Sequence, residues 1–352
     1  MNILIIRNDR IGDLISSTLI INHLKNIFKK KIKKIDLICS RSGYLYASQI
    51  KHELRNIYIN GRKISFLNDI SLLKIIRNNN YDLCISLSPN YKSFFLNLFS
   101  KSKIKATIRI TNKKGGASKP TNFLSNFFDT FINIKNNKNY HSLTWEFFYK
   151  KLCINIFEFI FKKKLLIKNK FKAFYVKPKI YASFNKKVNN FYIFHVDDKW
   201  NRKLINEKKL SNVILKLSKK YKILLTTNYF KTDFNKKLFH FLDFENKKEI
   251  SLIKTKKSKN LFLLNCGENE NSFKYFSKLS YIVSKCKCLI QIHGGLGHYA
   301  GSFNRNVINI IIKKENLQKL YRIHTKGLYA DINIKKSKNF IKSLDLILKK
   351  II

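Results

Sequence analysis

Short apolar runs alternate with longer segments of helical apolar spacing, and the alternation begins twice. "NILII" (2–6) precedes the helical "DLISSTLIINHLKNIF" (13–28), and "KIDLIC" (34–39) follows. Then come "SFLNDISLLKIIRNN" (65–79), "YDLCISL" (81–87), "KSFFLNLFS" (92–100) and "KIKATIRI" (103–110). The short runs are apolar almost throughout, as strands covered on both faces must be, so a parallel sheet flanked by helices is expected. From "TNKKGGASKPTN" to about Asn139 the pattern predicts loop, and a helix from His141 to about Cys153 closes the half.

Between Phe161 and Tyr181 the pattern gives way to a Lys-rich connection containing Pro178. The alternation then restarts with "NFYIFHV", "NEKKLSNVILKLSKK", "YKILLTT", "DFNKKLFHFL" and "LFLLNC". "SFKYFSKLSYIVSKC", "KCLIQI", "GHYAGSF" and "NVINIII" continue it, and "KSKNFIKSLDLILKKII" reads as a closing amphipathic helix. The expected fold class is α/β: Rossmann-like domains over 1–165 and 182–335, then a helix over 336–352. Two such open sheets are expected to leave a cleft at the carboxyl ends of their strands, where α/β folds bind ligands.

The charge is lopsided: 71 Lys+Arg against 21 Asp+Glu in 352 residues, a formal net charge of +50. Only ten of the 71 are Arg, the side chain suited to bidentate phosphate recognition. The excess is therefore read first as Lys on solvated faces, with attraction to anionic membrane surfaces as a consequence. The six cysteines show no CxxC spacing and sit mostly in apolar runs, as reduced buried thiols do. No run of about 18 apolar residues suggests a membrane span, and the first residues read as a strand rather than a leader.

Three stretches fall at predicted strand ends. In "RNDRIGDL" (7–14), Gly12 allows a sharp turn, and Asp13 either caps the next helix or presents a carboxylate able to accept a proton. In "HVDDKW" (195–200), Lys199 offers a cation for a phosphate, with Asp197 and Asp198 holding the loop. In "IQIHGGLGHYAGS" (290–302), Gly294, Gly295 and Gly297 precede a short helix whose N-terminus suits a diphosphate, and His298 follows. The loop is neither a Walker A sequence nor GxGxxG.

Together, "ILIIRNDRIGDLISSTLIINHLK", "YDLCISLSPNYKS", "HVDDKW" and "FSKLSYIVSKCKCLIQIHGGLGH" resemble, in order and spacing, the family 9 glycosyltransferases, the ADP-heptose:lipopolysaccharide heptosyltransferases. The resemblance spans most of residues 1–310. It implies a GT-B fold and metal-independent, inverting transfer from a nucleotide-diphosphate sugar to a lipid-linked glycan, with no cofactor. Asp13 falls on the family's catalytic base and Lys199 on the lysine that contacts the donor phosphate. Asp198, His293, Gly294, Gly295, Leu296, Gly297 and His298 fall on donor-binding positions, and Asn90 and Lys92 on the acceptor side. An ADP-heptose-like donor, a lipopolysaccharide-core-like acceptor and a cytoplasmic place, peripheral on the inner membrane, are implied with it. The chain departs from the family at His293, where an acid is usual, and at Gly294, where Ser or Thr is usual. Two readings stand beside this one: a non-catalytic or diverged sugar-nucleotide-binding homologue, and a basic nucleic-acid-binding protein. The sequence carries no RRM, KH, zinc-finger or helix-turn-helix pattern to support the latter.

Overall fold

The computed structural model describes residues 1–60, 65–111, 123–135, 144–165, 173–180, 189–196, 200, 205–227, 232–244, 250–266, 273–292, 294–311, 322–333 and 340–351. The chain forms two compact units: Met1–Lys179 with Glu315–Arg322, and Ile180–Lys314 with Ile323–Ile352.

The first unit holds a six-stranded sheet of β1 (Asn2–Arg7), β2 (Lys34–Cys39), β3 (Ile57–Ile59), β4 (Leu83–Ser86), β5 (Ile104–Thr111) and β6 (Thr130–Lys135). Their order is β3-β2-β1-β4-β5-β6, and every pairing is parallel. β1 is the middle of the core: Ile3, Leu4, Ile5 and Ile6 are all buried, as a strand covered on both faces requires. The helices Phe66–Asn78 and Tyr91–Leu98 lie on one face of this sheet. There Leu72, Ile76 and Leu96 pack with Leu4, Ile6 and Ile38.

The second unit holds β7 (Tyr192–His195), β8 (Ile223–Thr226), β9 (Ile250–Lys254), β10 (Leu261–Cys266), β11 (Cys288–Ile292), β12 (Asn306–Ile311) and β13 (Tyr329–Asn333). The order is β13-β12-β11-β7-β8-β10-β9. All neighbours are parallel except β9, which runs antiparallel to β10 at the edge. Without β9, the six parallel strands repeat the first unit's order, three-two-one-four-five-six in order of appearance. Such a sheet reverses its winding once, between β1 and β4 in one unit and β7 and β11 in the other. Ligands bind at that switch point.

Local expectations change at several places, among them the helix expected from His141 to about Cys153, which is Trp145–Phe161. The helix expected over 13–28 is two helices, Ile11–Ser17 and Leu19–Phe28, broken at Thr18. The Thr18 hydroxyl donates to the Ile15 carbonyl (2.7 Å) and accepts from the Val176 N–H (3.2 Å), so a side chain replaces part of the helical ladder. The stretch expected as loop before Asn139 contains β6, an edge strand paired only with β5.

Cys39, Cys84, Cys153, Cys286 and Cys288 are free thiols and buried. Burial pushes Cys39 and Cys286 up to about 12, which keeps them inert as nucleophiles.

Buried carboxylates anchor the first unit. Asp36 is wholly buried and accepts from Arg55 Nε (3.0 Å), Tyr81 OH (2.5 Å) and the Asn56 N–H (3.0 Å). Burial works against its charge, and these donors outweigh burial, holding the carboxyl below the usual aspartate range. A lowered folded value means the stabilisation is complete above the unfolded value near pH 4 and drains away as pH falls through the folded one. Urea titrations should show a midpoint that falls below about pH 4. Asp36→Asn should be less stable at pH 7, on the order of 1 kcal/mol, and flatter in acid. An unchanged acid slope in that variant would remove Asp36 as a cause.

Candidate functional site

The loops singled out in the sequence lie at the two switch points. In the first unit, β1 ends at Arg7 and the helix Ile11–Ser17 begins four residues later. Asn8, fully buried, bridges to the loop after β4: its Oδ1 accepts from Asn90 Nδ2 (3.1 Å) and Ser93 Oγ (2.9 Å). Asn90 also caps the helix Tyr91–Leu98, accepting from the Ser93 N–H at 2.9 Å. Both connections are thereby pinned together where the sheet changes winding.

Asp13 does not cap its helix. The N-cap position is Arg10, which makes no side-chain cap bond, and Asp13 stands in the first turn. An acid there is favoured by the helix dipole. Its side chain is 33% exposed, and the buried Arg7 guanidinium approaches its Oδ1 at 3.6 Å. Arg7 is itself fixed by the Leu87 carbonyl and by Asp9 at 3.5 Å. Behind Asp13, Ser17 Oγ donates to the Asp13 carbonyl (2.8 Å) and lies 3.0 Å from the buried Tyr149 hydroxyl. The result is a solvent-reaching carboxylate on a rigid base, oriented by a buried cation.

Lys92 takes a different place from the acceptor side expected of it. It is buried, and its Nζ pairs with Asp69 Oδ1 at 2.7 Å. Asp69 also accepts from Asn60 Nδ2 and the Ser65 N–H, each at 3.0 Å. Lys92 therefore clamps the helix Tyr91–Leu98 to the helix Phe66–Asn78.

In the second unit, Gly294 lies in extended backbone and leads into the helix Gly295–Ser302. Gly294, Gly295 and Leu296 are half-buried, whereas Gly297 and His298 are buried. The first residues of any helix have N–H groups without an intrahelical acceptor, and they carry its partial positive charge. The Gly294 carbonyl is held by two donors, the Gly297 N–H (3.2 Å) and Gln291 Nε2 (3.2 Å). Gly297 is required by close approach. A Cβ there would sit 2.2 Å from Gln291 Nε2 and 2.5 Å from Ile323 Cδ1.

Beneath this loop runs a polar row that the sequence reading missed. Thr226, His195, Gln291, Asn309 and Asp331 are in register across β8, β7, β11, β12 and β13. His195 Nδ1 lies 3.0 Å from Thr226 Oγ1, and Gln291 Nε2 donates to Asn309 Oδ1 at 3.2 Å. Asn309 Nδ2 donates to Tyr329 OH (2.9 Å), which donates to Asp331 Oδ1 (2.7 Å). Thr226, His195, Gln291 and Asn309 are buried, so the row is a fixed polar floor near the strands' carboxyl ends. Its signal was a single polar residue late in each apolar run, as in "YIFH", "CLIQI" and "NVINII".

Asp197, Asp198, Lys199 and His293 lie outside the described residues. The residues framing the first three are anchored. Val196 N–H donates to the Thr226 carbonyl (2.8 Å), and Trp200, fully buried, donates from Nε1 to the His195 carbonyl (3.1 Å). Among the described residues, no cluster of three or more His, Cys, Asp or Glu side chains could hold a metal.

Comparison with solved structures gives the fold its relatives. The E. coli ADP-heptose lipopolysaccharide heptosyltransferase II matches with a TM-score of 0.71 at 13% identity, over 99% of both chains. The fold is that of the GT-B glycosyltransferases. The E. coli heptosyltransferase WaaC with ADP matches at 0.69 and 11% identity over 100% of both chains. A family 9 glycosyl transferase from Veillonella parvula matches at 0.63 and 12% identity, over 100% of this chain and 90% of its own. No protein-family model matches the sequence, and no curated protein does.

Proposed function

We propose that the chain is an inverting glycosyltransferase that moves a sugar, heptose by resemblance, from a nucleoside-diphosphate donor to a lipid-linked glycan of lipopolysaccharide-core type. One observation carries the reading. The loops that resemble family 9 motifs are those at the switch points of two sheets with the same parallel strand order, in a fold shared with heptosyltransferases.

In this proposal Asp13 is the general base. It takes the proton from an acceptor hydroxyl, whose oxygen bonds to the anomeric carbon as the bond from that carbon to the diphosphate oxygen breaks. Negative charge then grows on the departing diphosphate. The N–H groups of Gly295 and Leu296, at the N-terminus of their helix, face such a charge with no reorganisation, because Gln291 and Asn309 fix the turn from below. Lys199 supplies a point charge to the same group, with Asp198 holding its loop. Gly294, Gly297, His298 and His293 complete the donor side, and Asn90 shapes the acceptor side. A metal is not needed when fixed cations and amide dipoles carry that charge.

The test is a donor screen against ADP-, GDP-, UDP- and CMP-sugars by thermal shift. One nucleoside-diphosphate sugar should stabilise the protein well above the others, by about 2.7 kcal/mol at a hundred times its Kd. Equal indifference to all of them would refute the reading, and steeply salt-dependent binding to RNA or DNA instead would favour the nucleic-acid alternative.

A further inference from the structure

We infer that Tyr329 and Asp331, on the edge strand β13, are positioning residues for the glycine turn that the proposed function assigns to the donor diphosphate. They act through Asn309 and Gln291 and not on the ligand. The consequence for binding rests on the glycosyltransferase reading, and the consequence for the turn itself does not.

A chain of hydrogen bonds runs from the sheet edge to the turn. Tyr329 OH donates to Asp331 Oδ1 (2.7 Å) and accepts from Asn309 Nδ2 (2.9 Å). Asn309 Oδ1 accepts from Gln291 Nε2 (3.2 Å), and the same nitrogen donates to the Gly294 carbonyl (3.2 Å). Register places Gln291, Asn309 and Asp331 side by side across β11, β12 and β13. The outer end of the chain reaches solvent: Asp331 is exposed and Tyr329 half-buried, whereas Asn309 and Gln291 are buried.

The order of donors along this chain is forced from that outer end. A carboxylate and a backbone carbonyl only accept, a hydroxyl has one hydrogen, and a carboxamide donates on one side and accepts on the other. With its hydrogen committed to Asp331, Tyr329 meets Asn309 as an acceptor. Asn309 then turns its nitrogen outward and its oxygen inward, and Gln291 answers with its nitrogen. That nitrogen has two hydrogens, and Asn309 and Gly294 take one each.

Removing the phenolic hydroxyl removes the constraint. A reversed Asn309 presents its nitrogen to Gln291, and a matching reversal of Gln291 sets Oε1 against the Gly294 carbonyl. Two acceptors then face each other beneath the turn, where neither reaches water. The Gly294 carbonyl also accepts from the Gly297 N–H (3.2 Å), so its orientation bears on the N–H groups that open the helix Gly295–Ser302.

The experiment compares the full-length wild type with Tyr329→Phe, Gln291→Ala, their double variant, Asp331→Ala and Asp331→Asn. Hydrogen exchange at the Gly297 amide is followed without ligand, and binding of ADP, GDP and UDP by calorimetry. Tyr329→Phe keeps the ring, and an unchanged melting temperature confirms its fold. The Gly297 amide should exchange about fivefold faster in Tyr329→Phe, the size of one hydrogen bond. The nucleoside diphosphate that the wild type binds best should bind about fivefold more weakly. Asp331→Ala should do the same, and Asp331→Asn, which keeps an oxygen for the phenol, should stay near wild type. In the Gln291→Ala background the tyrosine substitution should change neither quantity, because the chain is already cut, whereas a merely structural role would add its cost again. Wild-type exchange at Gly297 in Tyr329→Phe would overturn the inference. So would faster exchange with nucleotide affinity unchanged, or equal costs in the two backgrounds. A wild type that binds none of the three nucleotides would instead remove the glycosyltransferase reading, and exchange at Gly297 would then decide the inference alone.

Discussion

If Asp13 is the general base of the proposed transfer, Asp13→Asn should abolish that transfer while leaving the donor bound. The substitution keeps the size of the side chain and its place in the first helical turn, so the Ser17–Asp13 backbone contact and the fold around it persist. What disappears is the ability to accept a proton. General-base catalysis contributes roughly 10²–10⁴-fold, so kcat should fall by at least that factor. Donor-induced thermal stabilisation, which the proposal assigns to the second unit's loop, should be unchanged. The neighbouring Arg7 makes the comparison sharper. Arg7→Met removes the cation that approaches Asp13 at 3.6 Å but retains the carboxylate, so it should cost less than Asp13→Asn. Near-normal turnover in Asp13→Asn would assign the base elsewhere.

Gly297→Ala is the second large effect, and its cause is steric. The added methyl would overlap Gln291 Nε2 and Ile323 Cδ1, both in the interior. A glutamine carboxamide can usually swing away. This one is committed to the Gly294 carbonyl and to Asn309, so moving it breaks both bonds and releases the turn. Overpacking of this kind costs roughly 1–3 kcal/mol, which lowers Tm by roughly 2–4 °C per kcal/mol in a unit of this size. The freed turn should also weaken donor binding. Gln291→Ala clears the space, so Gly297→Ala should cost less in that background than in the wild type. Additive costs would mean that the glycine serves something other than this contact.

The Gln291 contact shows where the sequence was legible and where it was not. Central strands announce themselves because burial on both faces demands an unbroken apolar run, and "NILII", "YDLCISL" and "KCLIQI" each mark one. The unpredicted strands, β3, β6, β9 and β13, are the four sheet edges. An edge strand is paired on one side only, and β3 (Ile57–Ile59) and β13 (Tyr329–Asn333) are correspondingly partly exposed and mixed in character. Their neighbours define them, and neighbours are not in the local sequence.

The candidate site divides in the same way. Asp13 and the glycine turn were visible because strand, turn and helix succeed one another in the chain. The Asn8–Asn90 bridge and the row from Thr226 to Asp331 were not, since each joins residues brought together only by the order of parallel strands. Lys92 is placed on the acceptor side by resemblance alone, and its buried ion pair with Asp69 needs tertiary contacts to be recognised.

Hydrogen exchange with and without the best nucleoside-diphosphate sugar tests the proposed donor loop most directly, being the donor screen read at the level of peptides. Saturating sugar nucleotide should slow exchange in peptides covering Gly294–Ser302 and those flanking Trp200, and leave the edge strands untouched. Saturable binding that protects other segments, with Gly294–Ser302 exchanging as before, would contradict the account.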